Sequence, residues 1–174
     1  GGEVRLDNGD TLHADLVVAA TGVRPRSDVA ASAGLTCERS RIVVGADLRT
    51  SCDHVYAAGD VALAFNTGAA RHLAVEHWQD AVDQGAIAGS RAAGKESTWH
   101  GVPGFWTAIG EATVKYHAWG DGFQKVQVDD RGDRFTVWYE ADGMAVGVLT
   151  HNADEDYDSA RPLSRIGGRR PGYS

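Results

Sequence analysis

The stretch T-S-C-D-H-V-Y-A-A-G-D-V-A, from Thr50 to Ala62, decides the fold of this chain. It predicts a short buried strand over residues 54–58 that stops at Gly59-Asp60. A carboxylate at the carboxyl end of such a strand lies where open α/β sheets bind their ligands, and the glycine lets a ligand approach the backbone closely. Strands that end in Gly-Asp turns are common, so the pattern by itself is equally compatible with a plain turn.

Composition limits the class of protein. The 174 residues suffice for one domain or two small ones, and 43% hydrophobic with 24% charged residues is typical of a soluble globular chain. The net charge of −7 disfavours a nucleic-acid partner. The longest apolar runs, Leu16–Ala20 and Val61–Phe65, are strand-sized, so we expect no membrane span. Cys37 and Cys52 have neither metal nor redox spacing and favour a reducing compartment, so we expect a cytoplasmic protein.

The beginning of the chain bears on its completeness. It has no initiator methionine, and Gly1–Leu6 looks like the middle of a strand. We therefore expect a piece of a longer protein.

The first hundred residues mix strands and helices. The predicted elements are a hairpin of Val4–Leu6 with Thr11–Ala20, a short helix Ser27–Ala33, strands Ile42–Val44 and His54–Ala58, a loop Val61–Ala70, and a long helix Glu76–Ala93. Asn8-Gly9 is a strong hairpin turn, and the apolar arm Leu16–Ala20 is expected to be buried on both faces.

Beyond residue 100 the composition changes, and three of the five tryptophans lie there. Four strands forming an antiparallel meander are predicted over Lys115–Trp119, Gln124–Asp129, Phe135–Glu140 and Met144–Leu149. A closing helix is predicted over Ala153–Ile166, and the polar, basic tail 167–174 is expected to be disordered.

Three landmarks occur in order along the chain. They are A-T-G with a following proline (Ala20 to Pro25), R-T-S…V-Y-A-A-G-D (Arg49 to Asp60), and V-E-H-W-Q-D-A-V-D-Q-G followed by P-G-F-W (Val75 to Gly85 and Pro103 to Trp106). Together they resemble the C-terminal part of the FAD-dependent pyridine nucleotide-disulfide oxidoreductases. The likeness is strongest to the branch of ferredoxin reductases, rubredoxin reductases and apoptosis-inducing factor, and it covers roughly residues 3 to 166.

The resemblance implies an α/β part followed by an α+β part. Residues 1–22 look like exit strands of an NAD(P)-binding domain, and residues 23–98 like the C-terminal half of a Rossmann-like FAD-binding domain. Residues 99–166 look like the C-terminal interface domain, an antiparallel sheet with a helix. The family's G-x-G-x-x-G loops, which bind pyrophosphate, are absent from this sequence, so the dinucleotides lose their main anchors. The redox cysteine pair and the histidine–glutamate pair of the disulfide-reducing branch are absent too, so we do not expect disulfide reduction.

The resemblance assigns cofactor contacts to two segments first. Asp60 matches the aspartate that hydrogen-bonds the FAD ribityl chain, and Gly59 lets the flavin lie against the backbone. Glu76-His77-Trp78 matches the helix start that points at the flavin, where free N–H groups and the helix dipole stabilise negative charge on reduction. The alternatives are a turn aspartate at Asp60 and an ordinary first-turn acid at Glu76.

Two more pairs complete the candidate site. Phe105-Trp106 matches an aromatic pair at the flavin edge, with core aromatics as the equal alternative. Thr21-Gly22 matches the A-T-G landmark near both cofactors, with a tight turn as the alternative.

No catalytic residue and no metal site follow from the sequence. Hydride transfer from NAD(P)H to flavin needs no side-chain acid or base, because the cofactors carry the chemistry. His72, Glu76 and His77 have the spacing H-x-x-x-E-H, which is neither zinc-protease pattern, and no third ligand is evident.

Three functions compete. The first is a segment of an FAD-dependent NAD(P)H oxidoreductase that passes electrons to ferredoxin, rubredoxin or another acceptor, with a homodimer as an option; we expect this chain alone to be inactive. The second is a non-catalytic dimerisation or partner-docking module that uses the aromatic meander. The third is a nucleic-acid surface built from the tail arginines, Arg161, Arg165, Arg169 and Arg170, which the net charge of −7 disfavours.

Overall fold

The computed structural model describes residues 1–160. Over this range the strands are β1 (Gly2–Arg5), β2 (Thr11–Ala14), β3 (Cys37–Glu38), β4 (Arg41–Val44), β5 (Ala62–Asn66), β6 (Arg71–Ala74), β7 (Gly104–Ile109), β8 (Ala112–Ala118), β9 (Lys125–Asp130), β10 (Phe135–Ala141) and β11 (Met144–His151). The helices over the same range are α1 (Asp28–Ser32), α2 (Trp78–Ala92) and α3 (Asp154–Ser159).

The predictions for residues 161–174 lie outside the described residues. They are the last part of the closing helix, the disordered tail and the arginine-rich surface. In residues 1–160, no helix is long and apolar enough to cross a membrane.

The described strands form three sheets. β1 and β2 pair as an isolated antiparallel hairpin. The second sheet has the order β3-β4-β5-β6, in which β4 and β5 are parallel and the other pairs antiparallel. The third sheet has the order β7-β8-β11-β10-β9 and is antiparallel throughout. We call residues 23–98 the α/β region and residues 104–151 the meander.

β5 is the buried centre of the α/β region, and the prediction of a loop over Val61–Ala70 was wrong. β5 pairs with β4 on one side, where Val44 faces Ala64, and with β6 on the other. A continuous apolar run is typical of a strand buried on both faces, and β5 is buried at four of its five residues. The same run also fits a loop flank when no partner strand is identified, which explains the error.

One other predicted strand does not form, and another is shorter than predicted. Residues 54–58 make a single bridge, between Arg49 and Tyr56, because His54 has a left-handed φ of 65° and no further described strand lies beside them. The predicted second hairpin arm ends at Ala14, and Leu16 is 79% exposed. A two-stranded hairpin has no second layer that could bury those residues.

All four strands predicted for the meander are confirmed, with β8 starting earlier, at Ala112. The predicted succession is wrong at one place, because β8 pairs with β11 and not with β9. The prediction missed β7, which pairs with β8 so that Phe105 faces Tyr116. Pro103 before β7 and Gly110 after it resemble loop signals, and they masked the strand.

The core has two clusters, and Val102 packs against both of them. The α/β cluster includes Val44, Leu48 and Leu73, and the meander cluster includes Trp138 and Val148. Trp119 follows β8 in the chain, yet it is buried in the α/β cluster. This side chain therefore fastens the meander to the α/β region.

Asn66 provides a second fastening, at the end of β5. Its side chain is fully buried, its Nδ2 donates to the carbonyl of Gly101 at 2.9 Å, and its Oδ1 accepts from the backbone N–H groups of Gly68 and Ala69. The β5–β6 turn and the segment that leads into the meander are thus held by one amide.

Candidate functional site

The start of α2 is anchored on β7 by a buried aspartate. α2 begins at Trp78, after His77 in an extended conformation. Nδ1 of His77 lies 3.2 Å from Oδ2 of Asp80, and the same oxygen accepts the backbone N–H of Gly104 at 3.2 Å. The carboxylate of Asp80 thereby fixes the position of the helix start relative to the first strand of the meander.

Two aromatic contacts bring the predicted Glu76–Trp78 and Phe105-Trp106 segments together. The rings of His77 and Phe105 lie 5.0 Å apart, and those of Trp78 and Trp106 lie 5.8 Å apart and nearly perpendicular. Such geometries are favourable for aromatic pairs. An open cavity of about 440 Å³ lies between the two segments and is lined by Glu76, His77, Trp78, Gln79, Phe105, Trp106 and Thr107.

The Gly59-Asp60 turn packs against the side of α2. Gly59 has a φ of 75°, and a Cβ there would lie 3.3 Å from the Cβ of Ala81, so both the conformation and the close approach favour glycine. The backbone N–H of Gly59 donates to Oε1 of Gln84, a buried side chain, at 2.9 Å. The turn is thus fixed at two points along the helix.

Asp60 itself differs from its predicted setting. It lies in a short 3₁₀ turn that precedes β5, rather than at the end of a strand over residues 54–58. The residue is exposed, and within residues 1–160 its carboxylate accepts no hydrogen bond. A carboxylate in this state can accept hydrogen bonds from ligand hydroxyls.

Arg41 connects the turn with the helix start. Its Nε donates to the backbone carbonyl of Asp60 at 3.1 Å, and its guanidinium forms an ion pair with Glu76. Contacts therefore link seven of the predicted site residues in one part of the molecule: Gly59, Asp60, Glu76, His77, Trp78, Phe105 and Trp106.

Thr21 and Gly22 are not joined to this group. Both are exposed, and a Cβ on Gly22 would touch nothing within 4 Å. Among the described residues, no hydrogen bond or ion pair connects them to the other candidates. Their place in a cofactor site stays a prediction.

The group offers two kinds of hydrogen-bonding partner, backbone donors at a helix start and a carboxylate acceptor. In the described part of the chain no side chain caps the N-terminus of α2, so its first N–H groups remain available as donors. Asp60 offers an acceptor. Over residues 1–160, no cluster of three or more histidine, cysteine or acidic side chains could hold a metal ion.

Three residues of this site were missed from the sequence: Arg41, Asp80 and Gln84. Asp80 and Gln84 lie four residues apart on α2 and are both buried, a polar pair on one face of an otherwise apolar helix side. That spacing was a usable signal. Arg41 offered none, because its partners are distant in sequence.

A second, larger cavity of about 1050 Å³ lies between α2, β8 and α3. It shares Gln79 and Trp106 with the smaller cavity but does not include Glu76, and Asp60 lines neither cavity. The candidate site is the smaller cavity, because it is lined by both predicted segments and because Arg41 links its Glu76 to Asp60.

Residues 1–85 match the model of the family described as pyridine nucleotide-disulphide oxidoreductase. The ferredoxin–NAD(+) reductase component of an anthranilate 1,2-dioxygenase system from Burkholderia cepacia is 33% identical over 172 residues, which are 96% of this chain and 41% of that protein. A solved ferredoxin reductase from Rhodopseudomonas palustris superposes with a TM-score of 0.85 at 31% identity, covering 91% of this chain and 40% of that one. A covalent putidaredoxin reductase–putidaredoxin complex superposes with a TM-score of 0.82 at 25% identity, covering 89% of this chain and 37% of that one.

The relatives found by sequence and by structure include ferredoxin reductases. Residues 1–85 belong to the pyridine nucleotide-disulphide oxidoreductase family, whose enzymes use FAD and NAD(P)H. The resemblance and the mixed fold class inferred from the sequence are thereby confirmed. The chain spans 41% of the length of the Burkholderia relative and 39% of a Sphingomonas ferredoxin–NAD(P)(+) reductase. The domain boundaries remain predictions.

Proposed function

We propose that this chain forms the flavin-facing wall of an FAD-dependent NAD(P)H oxidoreductase. The observation that carries the proposal is the linked group of Gly59-Asp60, the α2 start and Phe105-Trp106 in a chain of this family. When bound, FAD accepts hydride from NAD(P)H and releases electrons to an acceptor. The protein supplies binding, orientation and electrostatics.

Each part of the linked group has a stated task. Asp60 accepts hydrogen bonds from the ribityl hydroxyls, and Gly59 allows the ring system to approach the turn. The uncapped start of α2 places its free N–H groups and positive dipole end where negative charge develops. Phe105 and Trp106 cover the ring edge and exclude water. No side chain acts as an acid or base.

The electron acceptor is proposed to be a small iron–sulfur protein or rubredoxin. Relatives are named for such partners, among them a putidaredoxin reductase and a rubredoxin-NAD(+) reductase, both from Pseudomonas putida. The same protein can be used to test whether the chain forms a homodimer and whether NADH or NADPH is the hydride donor.

The proposal is tested by titrating the 174-residue chain with FMN and with FAD and following flavin fluorescence. FMN carries the isoalloxazine and ribityl parts, which this site contacts. Because the sequence lacks the G-x-G-x-x-G loops that bind pyrophosphate, we expect the two flavins to bind with similar affinity. Both should bind weakly, with a Kd of about 1 mM. Absence of binding by either flavin at several millimolar would refute the proposal.

Asp60→Asn is the variant that assigns the site. We expect it to weaken binding of both flavins about tenfold, because a hydrogen bond to a charged group contributes about 1.5–3 kcal/mol. Asp53→Asn is the matched control, since Asp53 is also exposed and lies in the same stretch of chain. Equal losses in the two variants would contradict a role for Asp60.

A non-catalytic docking module is the second candidate, and one surface favours it. On one face of the meander, Phe123, Val126 and Val128 are all substantially exposed. An open apolar face is typical of an interaction surface. This function predicts concentration-dependent self-association in sedimentation velocity that Val128→Thr reduces, together with no flavin binding.

A further inference from the structure

Arg41 holds an unusual position for a cation, at the start of an interior strand of the second sheet. It is the first residue of β4, and its side chain is only 15% exposed. Arginine side chains are rarely buried to this degree unless they are paired. Its guanidinium contacts two elements that are far apart in the sequence.

The two contacts differ in kind and use different nitrogens. Nε of Arg41 donates to the backbone carbonyl of Asp60 at 3.1 Å, and Nη2 of Arg41 forms the ion pair with Oε1 of Glu76. Asp60 belongs to the 3₁₀ turn, and Glu76 directly precedes the N-cap of α2. One planar group thus spans the gap between the turn and the helix start. The point charge of a lysine cannot serve both partners at once.

The remaining ties between turn and helix lie further along α2. Gly59 contacts Ala81 and Gln84, one to two turns past the N-terminus. Neither of these two contacts involves residues 76–78. Among the described residues, Arg41 is the side chain that hydrogen-bonds both Asp60 and Glu76.

The charge of Arg41 has a second effect. An unpaired Glu76 carboxylate would place negative charge beside the N–H groups of the α2 start and weaken their attraction for an anionic group. The ion pair with Arg41 neutralises that carboxylate, so the helix dipole acts unopposed.

We propose that Arg41 is a positioning residue that fixes the Gly59-Asp60 turn against the start of α2 and neutralises Glu76. The inference rests on the proposed flavin site for its functional meaning, while the fixing itself is a property of the chain alone. The side chain of Arg41 then has two tasks. Its Nε fixes the position of the Asp60 backbone, and its Nη2 neutralises the charge of Glu76.

Amide hydrogen exchange on the full chain tests the fixing without any cofactor. In Arg41→Met we expect at least about tenfold faster exchange both at the N–H groups of Gly59 and Ala62, which are hydrogen-bonded in the turn, and at the N–H group of Ala81, which closes the first turn of α2, with no change at residues 136–150. Arg41→Lys should restore protection at Ala81, where charge suffices, and leave Gly59 and Ala62 fast. Arg49→Met is the control, because Arg49 forms exposed ion pairs with Asp47 and Asp53 in the same region.

Flavin titration of the same variants gives the functional readout. We expect Arg41→Met to raise the Kd for FMN about tenfold, Arg41→Lys to raise it less, and Arg49→Met to leave it unchanged. Glu76→Gln combined with Arg41→Met should be less harmful than the two separate losses added together, because the two residues interact.

The outcomes separate the two proposals. If exchange rises at only one segment or at neither, or if lysine restores both, the positioning role of Arg41 is wrong. If the exchange pattern holds but the unaltered chain binds no flavin, the positioning role stands and the proposed function fails.

Discussion

The meander and the α/β region of this chain differ in how far their strands lie from their pairing partners along the sequence. In the meander, successive strands pair mainly through short hairpins, as in β10 with β11, so the backbone groups are satisfied by near neighbours. In the α/β region, the central pair of β4 and β5 is parallel and joins residues about twenty positions apart. Strand formation there depends on distant partners. The stretch Leu16–Ala20, which precedes this region, has no strand partner among the described residues. The difference teaches that local pattern suffices for one region and not for the other.

The largest expected effect comes from Trp119→Ala, which tests how separate the two regions are. Trp119 belongs to the meander by sequence and to the α/β core by packing. Removing a buried tryptophan side chain costs about 3–5 kcal/mol. We expect the free energy of unfolding from urea denaturation to fall by that amount, with faster hydrogen exchange in both regions. The exposed Trp106→Ala is the control and should cost far less; loss confined to one region would mean that Trp119 does not couple them.

A smaller effect is expected from Asn66→Ala, which acts at the joint before the meander. The change leaves the N–H groups of Gly68 and Ala69 and the carbonyl of Gly101 without their buried partner. We expect a loss of about 1–3 kcal/mol in the free energy of unfolding, since unsatisfied buried polar groups cost about that much. Asn8→Ala, at an exposed turn, serves for comparison in the same urea titration. A cost no greater than that of Asn8→Ala would show that the joint is not held by this amide.

The part of the fold that could be predicted from the sequence follows the same division between the meander and the α/β region. The four meander strands could be predicted because alternating residues and Gly-rich turns are local signals. β5 could not be distinguished from a loop, and residues 54–58 could not be distinguished from a paired strand, because both depend on which strands lie beside them. In the site, the α2 start and the aromatic pair were readable, and the structure brings them together. Arg41 was not readable, since its role arises from contacts at Asp60 and Glu76.

The smallest expected effect is a pH dependence confined to the meander. Burial raises the pKa of the Tyr116 phenol above its usual value, and Tyr139 nearby raises it further. The folded state therefore keeps this proton where the unfolded chain releases it. The associated stability is complete below the usual pKa of about 10, and it is lost as pH rises through the higher pKa of the folded state.

Tyr116→Phe isolates this contribution. We expect the variant to lose less stability than the unaltered chain between about pH 9 and pH 11, as measured by urea midpoints at each pH. Identical alkaline profiles for the two proteins would exclude Tyr116 as the source.

The distribution of the five tryptophans gives the molecule two separate optical reporters. Trp99, Trp119 and Trp138 are buried, whereas Trp78 is 68% exposed and Trp106 is 52% exposed at the mouth of the site cavity. A soluble quencher such as acrylamide should therefore reach the exposed pair and spare the buried three. A flavin in that cavity would extinguish emission from the same two indoles. Emission from this chain can thus report on occupancy at the rim and, independently, on the integrity of the interior.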